Sequence, residues 1–123
     1  MLASLIGWTL IVSGVATATG SLAVALFPKL VAQLAFGAKS PDALHIFLIR
    51  HWGALLFVVC ALTVYCAYVP VTRVPILIAA VIEKLVIVGL IFFGPVKRTV
   101  AMTAVAILDG ILAILFVAYL AGL

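Results

Sequence analysis

The sequence predicts an all-α protein, a bundle of four transmembrane helices with a short interfacial helix between the first and the second. Three observations carry this. First, 69% of the residues are hydrophobic and 8% are charged, against roughly 45–50% and about 25% in ordinary soluble domains. A chain of 123 residues cannot hide so much apolar surface within a small globule, so its consistent solvent is lipid. Second, the apolar residues fall into four runs, each near the ~20 residues that a helix rising 1.5 Å per residue needs to cross a core about 30 Å thick. Third, the prolines stand at the ends of these runs, where a missing N–H does least harm.

The first run covers about residues 4–27 and stops at Pro28. The opening residues MLASLIGW lack the positive n-region of a secretory signal, so this run is expected to be a permanent helix. It carries Gly7, Ser13, Gly14, Thr17, Ala18 and Ser21, and small residues let helix backbones approach closely in lipid. The pair Gly14 and Ala18 serves either packing within the bundle or a homodimer face. After Pro28 comes the longest link. Its stretch Lys29–Phe36 places Leu30, Val31, Leu34 and Ala35 on one side of a short helix lying at the membrane surface. Gly37 is expected to end that helix, and Ser40-Pro41-Asp42 to form a turn that caps the second span.

The second run covers about residues 44–69 and ends at Pro70. The third covers about 74–94, bounded by Pro75 and Pro95, and the fourth about 100–120. The links Pro70–Arg73 and Pro95–Thr99 are short, which makes neighbouring spans antiparallel. The whole of residues 1–123 reads as one domain. Phe27-Pro28-Lys29 and Phe93, Pro95, Lys97 form a faint echo between the first and third spans, too weak to establish a repeat.

The formal charge of +4 does not point to nucleic acid, whose binders gather Lys and Arg on one solvated face. Here the loops hold Lys29, Lys39, Arg73, Lys97, Arg98 and Asp42. Most of that positive charge falls in the first and third links, which share a side. The positive-inside rule therefore puts the long first loop in the cytoplasm and both termini outside. Together with the composition, this predicts an integral membrane protein. The two cysteines, Cys60 and Cys66, sit six apart on one span and point about 120° apart, so they cannot pair. They read as small apolar fillers.

Four ionisable residues lie inside the spans: Arg50, Glu83, Lys84 and Asp109. Their formal charges sum to zero. Counted from the span ends, Arg50 is about 9 Å deep, and Glu83 and Asp109 are each about 14 Å deep, so all fall in one central band. A charge at mid-bilayer costs roughly 2.5–3.5 kcal/mol on insertion scales, which argues for a buried network. Arg50 is the expected hub, because a guanidinium can engage two carboxylates at once, here Glu83 and Asp109. Gly53 and Ala54, Ala79 and Ala80, and Ala106 and Ala113 flank these positions and suggest that their faces look inward. Lys84, about 100° round the helix from Glu83, is expected to snorkel or to serve a neighbouring subunit. His51 reads as a proton relay, a hydrogen-bond partner of the cluster, or a plain polar anchor. The network either fixes helix register or forms a binding or proton-handling site.

Several chemistries are missing from the sequence: there is no G-x-S-x-G, no H-E-x-x-H, no phosphate loop and no Cys/His metal set. No metal and no cofactor is expected. No span is broken at its centre by Gly or Pro in the manner of many transporters.

Arg50-His51-Trp52-Gly53 near the start of the second span, Glu83-Lys84 in the third, and the turn Phe36–Asp42 together resemble bacterial DoxX-like four-helix membrane proteins. The resemblance runs over nearly the whole chain. A more distant similarity in layout is to the ergosterol-synthesis scaffold family, which tethers enzymes in a membrane. The resemblance implies the four-helix fold and importance for Arg50, His51, Glu83 and Lys84. DoxX is named as a membrane subunit of an oxidoreductase that feeds electrons to quinone. No residue here matches a recognisable redox-cofactor site, so that activity is not carried over.

The leading functional expectation is a non-enzymatic module that binds a hydrophobic molecule (a quinone, a sterol-like compound or a lipid) or a partner membrane protein, with a homo-oligomer as a variant. The alternative is a membrane-embedded enzyme or accessory oxidoreductase subunit that uses the buried acids with His51 for proton transfer. A third reading is a proton or ion pathway. A closed pocket beside Arg50 would favour the module. An open cavity with an acid facing it would favour the enzyme, and a continuous polar route would favour the pathway.

Overall fold

The computed structural model describes residues 2–94 and 99–122. In chain order it contains α1 (Leu2–Leu26), α2 (Pro28–Leu34), α3 (Ala43–Tyr68), α4 (Arg73–Phe93) and α5 (Val100–Leu120). A single 3₁₀ turn, Pro70–Thr72, joins α3 to α4. Helices α1, α3, α4 and α5 are each long and apolar enough to cross a membrane, and their limits fall within two residues of the four runs read from the sequence. Residues 95–98 of the third predicted link, with Pro95, Lys97 and Arg98, lie outside the described residues.

Local chemistry sets the helix ends. Gly37 adopts φ +70°, a left-handed conformation that glycine takes without steric cost. It closes the turn after α2, and the Ala38 N–H donates back to the Ala32 carbonyl at 2.9 Å. The Asp42 carboxylate accepts the His45 N–H at 2.9 Å and so caps α3. The Thr99 hydroxyl accepts the Met102 N–H at 3.1 Å, capping α5, and donates to the Ala35 carbonyl beyond the end of α2. One side chain thus ties the interfacial segment to the last span.

The most extensive packing is α1 on α3, followed by α4 on α5, while α3 meets α4 over a smaller area and α1 meets α5 over a smaller one still. The glycines explain the first contact. A Cβ at Gly14 would stand 3.2 Å from the Cys60 carbonyl, and one at Gly53 would stand 2.6 Å from the Ala25 nitrogen. The two backbones approach closely because those positions carry no side chain. Gly14 therefore serves packing within the chain.

The interior has three layers. Near the chain termini, Ile6 and Leu10 of α1 pack with Cys66, Leu77, Val81, Leu112 and Phe116. Toward α2, Ile91, Met102 and Ala106 form a second apolar cluster, on which Phe36 packs. Between them lies a polar layer on α4 and α5. Large apolar side chains such as Leu22, Leu62, Leu85 and Ile114 are exposed on the outside; in water this would be an aggregation surface, and against lipid tails it is the matching one.

Candidate functional site

The polar layer centres on Lys84. Glu83 is the middle residue of α4, and Asp109 lies one residue from the middle of α5. Lys84 is 5% exposed and Asp109 7%. The Lys84 ammonium stands 3.5 Å from an Asp109 carboxylate oxygen and 3.9 Å from Glu83 Oε2. Ala80 lies one turn before Lys84, and Ala106 and Ala113 flank Asp109; all three are buried, so their small size lets the two helices close around the charges. An ammonium with three donors between two carboxylates is a charge-pairing set. Among the described residues no three His, Cys, Asp or Glu side chains converge.

The expectation of Arg50 as the hub is corrected. Arg50 is exposed, and its Nε donates to the Ala25 carbonyl at 3.1 Å, in the last turn of α1. The depth count misplaced it. Helix α3 has 26 residues, about 39 Å at 1.5 Å per residue, which exceeds a core about 30 Å thick. Its first turns run past the end of α1, so Arg50 stands level with that end and not at mid-membrane. Lys84 takes the hub position instead, and neither snorkels nor faces outward. The 100° step from Glu83 separates the two side-chain roots, but the four-carbon stem of lysine spans the difference. His51 is also apart from the layer: it is exposed, and its ring stacks on Phe47 with centroids 6.5 Å apart and an interplanar angle of 7°.

Glu83 faces two ways. One oxygen, Oε2, is buried and lies near Lys84 but makes no hydrogen bond. The side chain is 22% exposed and forms part of the wall of an open groove of about 420 Å³. Phe36, Trp52, Val86, Ile87 and Leu90 make the rest of that wall. The Trp52 and Phe36 rings meet edge to face with centroids 5.8 Å apart, a favoured aromatic arrangement that stiffens one side. From Glu83 to Leu90 the groove follows α4 for about 10 Å, from mid-membrane toward α2. The pairing joins residues from separate elements, which spacing alone does not reveal.

A second arginine does structural work that its loop position concealed. Arg73 opens α4 and is half-buried. Its Nε donates to the Cys66 carbonyl at 2.9 Å, its Nη2 to the Ala67 carbonyl at 2.9 Å, and its Nη1 to the Tyr119 hydroxyl at 3.4 Å. The last carbonyls of a helix lack partners within it and carry partial negative charge. Arg73 satisfies them for α3, as Arg50 does for α1.

No protein-family model, no curated protein and no solved structure matches this chain.

Proposed function

We propose that the protein is a membrane-embedded binding module that holds a hydrophobic molecule in the groove between α3 and α4, with Glu83 as its polar anchor. One observation carries this reading. The groove wall is aromatic and aliphatic but for a single carboxylate, Glu83, and a mostly apolar pocket with one placed polar group is the usual form of a site for a hydrophobic ligand. A carboxylate accepts hydrogen bonds, so the ligand class is an apolar body bearing a hydroxyl, such as a sterol-like compound or a reduced quinone. Lys84 and Asp109 behind Glu83 hold it in place. The likeness to DoxX-like proteins, the bacterial inner membrane as location, and a cytoplasmic α2 loop marked by Lys29 and Lys39 belong to the same proposal.

An enzyme is the second reading, favoured by the openness of the groove and by an acid on its wall. It lacks the partner expected for it, because His51 stacks on Phe47 and is not part of the groove wall. A polar pathway draws no support from the bundle interior, where apolar clusters stand on both sides of the charged layer.

Native mass spectrometry in mild detergent, comparing wild type with Glu83→Gln, tests the proposal. A defined small molecule on the wild type that the variant loses is the expected outcome, and its identity would separate module from enzyme. Both proteins flying empty in one oligomeric state would make the charged layer purely structural.

A further inference from the structure

Arg50, displaced from the charged layer, has a second surface. A groove of about 470 Å³ runs beside the junction of α1 and α2. Arg50, Lys29 and Gln33 supply its polar wall, and Leu26, Phe27 and Leu30 are among its apolar residues. The groove contains two formal positive charges and no acid. The acid of the adjoining loop, Asp42, is turned to the N-terminus of α3, where it accepts the His45 N–H at 2.9 Å. Arg50 spends only Nε on the Ala25 carbonyl, and among the described residues its terminal nitrogens have no hydrogen-bond or ion-pair partner.

Depth decides what fits. The guanidinium stands level with the last turn of α1, where the span ends and α2 turns along the surface. At that level a bilayer presents phosphate groups above acyl chains. Guanidinium and ammonium groups beside apolar side chains match both parts of an anionic phospholipid, and basic pockets between spans near the membrane surface are known to receive such headgroups. Arginine also meets phosphate oxygens with two parallel N–H donors. We infer that the groove formed by Lys29, Gln33 and Arg50 is a binding site for the phosphate of an anionic phospholipid, whose acyl chain lies along Leu26, Phe27 and Leu30. This site is separate from the Glu83 groove and stands whether or not that groove binds a ligand.

The test is native mass spectrometry of the full chain titrated with phosphatidylglycerol and, in parallel, phosphatidylcholine. Wild type is expected to retain phosphatidylglycerol preferentially. Lys29→Gln and Arg50→Gln should each reduce that preference roughly fivefold, at about 1 kcal/mol per basic residue near the surface, and the double variant should abolish it. Lys39→Gln, outside the groove, should leave it unchanged. Should Arg50→Gln fail to fold, Lys29→Gln alone decides. A preference that survives Lys29→Gln, or that falls equally with Lys39→Gln, overturns the assignment. So does displacement of the lipid by millimolar inorganic phosphate, which would make this a free-anion site.

Discussion

At the scale of single residues, the chain distributes its cations by the partners each can reach. Lys84, compact and long-stemmed, sits between Asp109 and Glu83. The two arginines inside or beside spans go to helix ends, where carbonyls wait for donors. Removing one member of a buried ion pair leaves an uncompensated charge, at a cost of about 3–5 kcal/mol. Lys84→Met is therefore expected to lower stability in detergent by about that amount. Arg50→Leu, which gives up one charged hydrogen bond, should cost about 1.5–3 kcal/mol. Thermal unfolding followed by circular dichroism ranks the two, and a larger loss for Arg50→Leu would contradict the Lys84-centred layer. The sequence made three of the four charges legible as a shared layer, because Glu83, Lys84 and Asp109 stand near span centres. It misjudged which cation joins the acids, since the choice depends on how far α3 overshoots α1, a packing outcome that no residue count contains.

At the scale of elements, glycine position governs which helices touch. Gly53→Ala would place a Cβ 2.6 Å from a backbone nitrogen of α1, which cannot yield as a side chain can. Overpacking of this kind costs about 1–3 kcal/mol, so α1 should loosen from α3. Gly110→Ala meets nothing within 4 Å and replaces a poor helix former with a good one, with an expected gain of up to about 1 kcal/mol. Comparing the unfolding midpoints of the two variants checks both statements; equal effects would mean that the α1–α3 contact is looser than described. Helix limits were readable almost to the residue, because prolines, Gly37 and Asp42 mark them chemically; the Thr99 cap of α5 emerged only in the structure. The pairing of Trp52 with Phe36, and the groove they share with Glu83, were not readable, since they depend on how the link after α2 folds back over α4.

At the scale of the whole molecule, four spans place the α2 loop and the α3–α4 turn on opposite sides of the membrane. A cysteine at Lys39 should react with an impermeant thiol reagent from one side, and a cysteine at Val71, exposed in the 3₁₀ turn, only from the opposite side; the native Cys60 and Cys66 are buried. Reaction of both from one side would reduce the number of spans. The bundle is also unequally knit: α1 holds α3, α4 holds α5, and the contact between α5 and α1 is smaller than either. This has a meaning for how the chain enters the bilayer during synthesis. The acid nearest Lys84 lies on the very next helix, so α4 and α5 can leave the insertion channel as one hairpin with the lysine already matched, and α1 with α3 can settle beforehand without it. A nascent chain halted before α5 would present its central lysine with only the weaker, more distant Glu83 contact, and should be retained by the insertion machinery until the last span arrives.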